Sequence, residues 1–392
     1  MAVLPFVNMS SDPEQEFFSD GMTEDLITSL SCYRSFSVIA RNSTAVYKGQ
    51  SADVRQIAND LGASYILQGS IRKSGARVRV SAQLIDAVYG NHIWAERYDR
   101  KVDDIFDLQD EIVETISGRL GPEVDATEMR RAELKSTRNL DAWGCYHLGM
   151  LEFFRFNEDG NKQAQHLMRR AIELDPKFGP PYARLAYAAL LGMIYFDTEP
   201  TVEAFDETIA HARKAVEIDA KDAWSHMALG KVHLLQCDYE SALAESRIAV
   251  QLNPSLGVAH CGIADALTYM GFVEDAIPQF ETAIRLSPQD PWRWAFFAYR
   301  SLAHLFREEY DAAVYWAGSA LRVPNCAYWA NAHMVSALGH LGMKDKGNGA
   351  AAELLRRKPR FSCEYAKQRL FYVKDAGQLA RYLDGLRKAG LP

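Results

Sequence analysis

One pattern recurs through the second two-thirds of the chain and strongly limits what that part can fold into. Helix-forming stretches rich in Ala, Leu and aromatic residues close on the same signature: Ala171-x-x-Leu174-Asp175-Pro176, Ala215-x-x-Ile218-Asp219, Ala249-x-x-Leu252-Asn253-Pro254, Ala283-x-x-Leu286-Ser287-Pro288 and Ala320-Leu321-x-x-Pro324. Pro254 to Pro288 is 34 residues, Pro288 to Pro324 is 36, Pro324 to Pro359 is 35, and Ala215 to Ala249 is again 34. A helix pair of this length cannot bury its apolar face alone. Successive pairs therefore have to stack into a solenoid with an inner, concave surface.

A helix-turn-helix period of 34 residues is similar to that of the tetratricopeptide (TPR) repeat. Residues 257–290 match its pattern with Ala264, Gly271 at the turn, Ala276 and Ala283 where the helices approach, Phe280 as the knob and Pro288 closing. Residues 223–256 match at Leu229-Gly230, Ala242, Ala249 and Pro254. From Ala171 to Ala215 is 44 residues, and the excess is best placed at Asp197-Thr198-Glu199-Pro200, between the two helices of that repeat. Five to six helical pairs are expected over residues 141–392, ending in a capping helix with Leu379, Leu383 and Leu386.

Residues 1–120 obey another period. Val3–Val7 and Phe36–Ala40 read as short strands, and a helix opens at Asp20-Gly21 with Leu26, Ile27 and Leu30 on one face. Ser51-Ala52-Asp53 caps a second helix that runs to a Gly62 stop. Three strands follow at Tyr65–Arg72, Arg77–Asp86 and His92–Tyr98, joined by short connections containing Gly75 and Gly90. In the middle strand Val78, Val80, Ala82 and Leu84 alternate with Arg77, Arg79, Ser81 and Gln83, which gives one dry face and one wet or partner-covered face. An amphipathic helix carries Ile105, Leu108, Ile112, Ile116 and Leu120; Gly121-Pro122 is expected to end it, leaving 121–140 as a charged helical linker. The expected fold is thus a small mixed-sheet α/β domain followed by an all-α TPR superhelix.

Charge narrows the function classes. Residues 1–120 carry 12 Lys and Arg against 17 Asp and Glu, and the remainder 32 against 34, so a broad positive face for nucleic acid or anionic lipid is disfavoured. Six scattered cysteines form no C-x-x-C pair, which fits reduced thiols and the cytoplasm. No apolar run is long enough to span a bilayer. A strand beginning at residue 2 leaves no polar lead-in, and further chain upstream is the expectation; if that chain spans a membrane, the periplasmic side becomes the alternative location.

Candidate chemistry is sparse. Asp103, Asp104, Asp107, Asp110 and Glu111 suit a solvated first turn better than a metal site. There is no phosphate loop and no G-x-S-x-G nucleophile. His226 and His260 hold the same place in successive repeats, with Cys261 beside the second, but nothing nearby completes a metal ligand set. Asp20, Arg41 and Asn42, at strand ends or helix starts, mark a ligand or docking edge of the first domain, with turn and cap chemistry as the simpler explanation. The stronger candidate is the inner face of the repeats, where Tyr187, Trp224, Met227, Lys231, Asp265, Tyr269, Trp292 and Tyr299 are expected to line a groove for a protein or peptide partner. Packing between neighbouring helices is the competing role for these aromatics, and only Lys231 fits a basic clamp for terminal carboxylates.

The wording of the first domain adds a resemblance. Ala2-Val3-Leu4-Pro5-Phe6, Asp12-Pro13-Glu14, Phe18-Ser19-Asp20-Gly21-Met22-Thr23-Glu24-Asp25, Val38-Ile39-Ala40-Arg41-Asn42-Ser43, Leu61-Gly62-Ala63-Ser64-Tyr65-Ile66-Leu67-Gln68-Gly69-Ser70 and Ile93-Trp94-Ala95-Glu96-Arg97-Tyr98-Asp99 resemble the bacterial TolB-amino-terminal-like (FlgO-like) domain joined to TPR repeats. That resemblance implies the regulatory half of a class III adenylate cyclase or a winged-helix transcriptional regulator. A non-enzymatic interaction module of bacterial signalling follows, without cofactor or metal, binding no nucleic acid itself, and with homo-oligomerisation left open. A cell-envelope scaffold is the alternative.

Overall fold

The computed structural model describes all residues except 11, 13–14, 35, 51–52, 76, 102–104, 135–140, 289 and 291. The chain divides into two compact units, residues 1–130 with 253–255, and residues 131–252 with 256–392.

The first unit begins with β1 (Ala2–Val3) and β2 (Val7–Asn8), where one strand over Val3–Val7 was expected. Pro5 accounts for the split, since it has no N–H to give a ladder. Leu4 N–H still reaches Leu67 C=O (2.8 Å), but Phe6 N–H turns to the Thr23 hydroxyl (3.0 Å). Helix α1 (Glu16–Leu30) opens four residues before Asp20. Phe36–Ala40 does not form a strand; Met1 reaches it through its ammonium to Ser37 C=O (2.7 Å) and its carbonyl from Ile39 N–H (2.9 Å). Helix α2 (Arg41–Thr44) passes into a 3-10 turn at Ala45–Tyr47. Helix α3 (Val54–Leu61) carries the expected Asp53 cap, whose side chain accepts from Arg55 N–H. Of the expected cap segment, Ser51 and Ala52 lie outside the described residues.

The long strands β3 (Tyr65–Ser74), β4 (Arg77–Asp86) and β5 (Asn91–Lys101) form an antiparallel meander; β1 and β2 add parallel to the free side of β3, for a sheet order of β1-β3-β4-β5. Val78, Val80, Ala82 and Leu84 do face the core. There they meet Met22, Leu26 and Leu30 of α1 and Ile112, Ile116 and Leu120 of α4 (Ile105–Leu134). On the opposite face α3 covers one end through Ile57 and Ala58 against Ile66 and Leu4. The remainder of that face is open.

Helix α4 corrects the expected break, because it runs straight through Gly121-Pro122. Pro122 removes one helical hydrogen bond. Gly121 serves close packing instead: a Cβ there would stand 2.5 Å from Cε1 of Tyr33. The expected linker is therefore helical to residue 134, and its last six residues lie outside the described ones.

Among its described residues the second unit has six helical pairs: α5 (Ala142–Phe154) with α6 (Glu158–Leu174), α7 (Gly179–Tyr195) with α8 (Val202–Ile218), α9 (Ala223–Leu235) with α10 (Tyr239–Leu252), α11 (Gly257–Tyr269) with α12 (Val273–Leu286), α13 (Arg293–Phe306) with α14 (Tyr310–Leu321), and α15 (Trp329–His340) with α16 (Lys344–Arg357). Helices α17 (Cys363–Arg369) and α18 (Ala376–Lys388) follow. Asp141, Asn157, Thr201 and Asp222 cap their helices through side-chain oxygens, as their position before apolar stripes predicts. The long second repeat places Asp197–Pro200 between its helices as expected, and α7 and α8 are also longer, 17 residues each against 13 and 14 for α9 and α10. A small mixed sheet followed by a TPR-like solenoid is the fold.

Candidate partner-binding groove

Within each pair the first helix lies inside. Eleven of the 13 residues of α9 are buried, against five of the 14 in α10, so the inner helices are enclosed on every side. The reason is local: α9 and α11 put Ala and Gly where helices cross, and bulky groups where they face inward.

The inner-face residues expected from the 34-residue spacing do come together, but mostly with one another. Tyr187, Met227, Lys231, Asp265 and Tyr269 are buried, while Trp224, Trp292 and Tyr299 are half-buried. Trp292 stacks on Phe153 at 5.0 Å between ring centroids and meets the edge of Phe156 at 5.0 Å. Tyr187 stands edge-on to Trp224 (5.8 Å), which carries the Arg184 guanidinium on its face at 3.3 Å. The hydroxyls of Tyr195 and Tyr299 share a hydrogen bond of 3.1 Å.

At the centre, Lys231 and Asp265 form a buried ion pair from equivalent places in successive repeats. Burial alone would lower the lysine's pKa; the Asp265 carboxylate outweighs it and holds the ammonium above its ordinary value. Lys231 also lies 4.7 Å above the Tyr299 ring. The one inner cation that suited a carboxylate clamp is thus already neutralised.

What the sequence did not show is the groove's occupant. Residues 361–382 lie across the C-terminal ends of the inner helices and fill that end of the groove. Arg369 donates to the carbonyls of Met193 (3.2 Å) and Thr198 (2.8 Å), Gln378 to Thr268 C=O (3.4 Å), and Arg381 to Phe306 C=O (3.1 Å). Those of Met193 and Phe306 are last-turn carbonyls of α7 and α13, which helix geometry leaves without an intrahelical partner, whereas Thr268 C=O in α11 also accepts from Gly271 N–H (3.1 Å) and Thr198 lies beyond α7. Tyr239 at the start of α10 donates its hydroxyl to Tyr372 C=O (2.6 Å) and accepts from Lys374 N–H (2.9 Å). Tyr372 is buried edge-on against Tyr269 at 5.6 Å.

The insertion at Asp197–Pro200 grips the same segment. Asp197 accepts from Lys358 Nζ and the Tyr365 hydroxyl, each at 2.6 Å, and Glu199 faces Arg369 at 3.4 Å. Burial works to raise the Asp197 pKa, but these donors prevail and lower it. Helix α18 then docks on α15 at Gly339, where a Cβ would fall 1.9 Å from Gly385 C=O. The sequence signal that could have found this segment is the cluster Leu370-Phe371-Tyr372-Val373, too apolar for a surface connection.

The other candidates have structural roles. His226 Nδ1 meets Glu245 at 2.6 Å and Nε2 meets Ala220 C=O at 3.0 Å, while His260 Nδ1 meets Gln279 at 2.9 Å. Both brace an inner helix to its outer mate 19 residues on. Among the described residues no group of three or more His, Cys, Asp or Glu side chains could hold a metal ion. Asp103 and Asp104 lie outside the described residues, and Glu111 pairs with Arg100 at 3.0 Å. In the first unit Asp20 binds Lys48 (2.6 Å), Arg41 binds Glu24 (2.8 Å), and Asn42 sits exposed on α2. Two of these residues, Asp20 and Arg41, tie α1 to the segment after it. No helix among the described residues is long and apolar enough to cross a membrane.

Two histidines make opposite predictions for acid stability. Burial pushes His333, bonded to the Tyr382 hydroxyl at 3.0 Å, down to about 3. The unfolded chain takes up a proton that the folded one refuses, so this contribution is full above about pH 6.5 and falls at up to about 1.4 kcal/mol per pH unit below it. For His226 burial lowers the pKa, but Glu245 and the Ala220 carbonyl raise it overall, so its contribution is full in acid and is lost as pH rises through the folded value. Urea midpoints measured from neutral to acid pH should fall less steeply in His333→Gln than in the wild type, and more steeply in His226→Gln.

Comparison with known proteins follows the same division. Residues 1–115 match the model of the HilA/YgeH-like transcriptional regulator, second domain. This match supports a regulator-type domain there and does not by itself show the TolB-amino-terminal-like domain expected from the sequence. A protein of Rhizobium meliloti (strain 1021) named "Putative adenylate cyclase 3" is 38% identical over 229 residues, 58% of this chain and 39% of that protein. The chain thus spans well under half the length of that relative. Among solved structures, the APC/C hetero-tetramer Cut9-Hcn1 superposes at a TM-score of 0.50 with 15% identity, covering 69% of this chain and 49% of that one. TTC0263, a thermophilic TPR protein of Thermus thermophilus, is 15% identical at a TM-score of 0.42, covering 50% of this chain and 98% of that one.

Proposed function

We propose that this chain is a non-catalytic regulatory module whose repeat unit holds a segment of a protein partner. The observation that carries this reading is the segment already held there: an aromatic core, Tyr372, flanked by the cations Arg369 and Arg381, anchored to the free carbonyls of the inner helices. A partner presenting an aromatic residue beside a cation would exchange with it and reach Trp224, Tyr269 and Tyr299 on the inner wall. Such exchange has a threshold. Leu370, Tyr372 and Val373 are buried, and each contributes roughly 1.5–3 kcal/mol by leaving water. The partner's affinity has to exceed that sum.

The process we assign is signalling in bacteria beside a cyclase or transcriptional output. Its support is the regulator-type match of residues 1–115 and the name of the R. meliloti relative. The partner reading is tested with a labelled peptide of residues 363–379 added to the full chain. The wild type should leave it unbound, because its own segment fills the site. Arg369→Ala with Tyr372→Ala should bind it, and adding Tyr269→Ala should abolish binding. A double variant that keeps its helical circular dichroism yet fails to bind the peptide would contradict the proposal.

A further inference from the structure

Composition makes the first unit acidic, but the sheet sorts its charges. Residues opposed across antiparallel strands point to the same face. The register sets Arg72 beside Arg79 and Asp99, Arg77 beside Lys101, and Ser81 beside Arg97. Five cations thus share the face left open by α3, and Asp99 is its single acid among the described residues. Four of them, Arg72, Arg77, Arg79 and Lys101, border a concavity of about 390 Å³ at the β3–β4 turn end.

The cations are not equivalently engaged. Arg79 grips Asp99 bidentately, Nε to Oδ1 at 2.6 Å and Nη2 to Oδ2 at 3.1 Å, and Arg97 approaches the same carboxylate at 3.7 Å. Arg72, Arg77 and Lys101 are exposed and form no ion pair with the described residues. Asp99 also feels Arg77 through space, yet five cations around one carboxylate leave the face with a large positive excess, so it gains from an incoming anion.

We propose that this face is a docking site for an acidic, extended segment of a protein. Asp99 displays the recognition chemistry, a carboxylate held in an arginine fork. Carboxylates on alternate residues of an extended chain recur about every 6.6–6.8 Å, the spacing of Arg77 and Arg79 along β4. Nucleic acid fits less well, because the rings of this region, Trp94 and Tyr98, are buried in the core on the opposite face and offer bases no stacking surface.

Fluorescence anisotropy on the full chain at low ionic strength tests this, with a labelled peptide of alternating Glu and Ser and, separately, a labelled DNA duplex. The peptide should bind, and should be released as salt rises. Arg72→Gln with Arg77→Gln should weaken it roughly tenfold or more, with the melting temperature unchanged. The same charge loss at Lys344→Gln with Lys346→Gln should leave binding intact. Asp99→Asn should tighten it by removing the internal competitor. The proposal is overturned by absence of peptide binding at low salt, by equal binding in the Arg72/Arg77 variant, or by binding of the duplex in place of the peptide.

Discussion

Replacing Lys231 by Met should destabilise the repeat unit by about 3–5 kcal/mol, the usual consequence of leaving one charge of a buried pair unmatched. The neighbours set the size of the effect. Asp265 is enclosed by Tyr187, Tyr269, Tyr299 and Tyr372, and burial by itself already pushes its carboxyl pKa upward. Without the ammonium, Asp265 must either stay ionised in an apolar site or hold a proton, its pKa being raised further. Replacing both partners, Lys231→Met with Asp265→Leu, removes the problem and should recover most of the lost stability. Chemical denaturation of the single and double variants measures both effects. A single variant as stable as the wild type would mean that the pair is solvated and the groove open.

Gly339→Ala should release the C-terminal helix. Its Cβ would overlap the Gly385 carbonyl, which is backbone and cannot rotate away, so α15 and α18 must separate. Overpacking of this kind costs about 1–3 kcal/mol or more. The loss should be local: Ser336 Oγ to Tyr382 C=O (2.8 Å) and His333 to the Tyr382 hydroxyl (3.0 Å) depend on the same contact. Hydrogen exchange should rise in residues 363–388 and in the last turns of α7, α11 and α13, whose carbonyls that segment covers. The sheet unit should keep its protection.

How much of this was legible in the sequence depends on the range of the interactions. Strands β3–β5 were readable because alternation at period two is local and the turns carry their own signals. The repeats were readable because 34 residues is a short period. Phe36–Ala40 misled because apolar character alone cannot supply a neighbouring strand. Gly121-Pro122 misled because it has the composition of a helix stop, while Tyr33, far back in the chain, decides what Gly121 is for.

The residues expected on the inner face were named one by one and pack together, but the segment that packs against them was not foreseen. Arg369 and Met193 are 176 residues apart, and no local pattern announces such a contact. The basic face escaped for the opposite reason. Summing charge over residues 1–120 averages away a pattern that only strand register creates.

In the proposed reading the repeat unit holds a chain segment, and residues 361–382 of this protein pack where that segment would lie. The most direct measurement of that occupancy replaces Tyr372 with the photocrosslinker p-benzoylphenylalanine in the full chain and maps the crosslinks by mass spectrometry. Crosslinks should form within one chain, to peptides carrying Tyr239 and Tyr269. Crosslinks to a second chain, to the sheet unit or to nothing would contradict it.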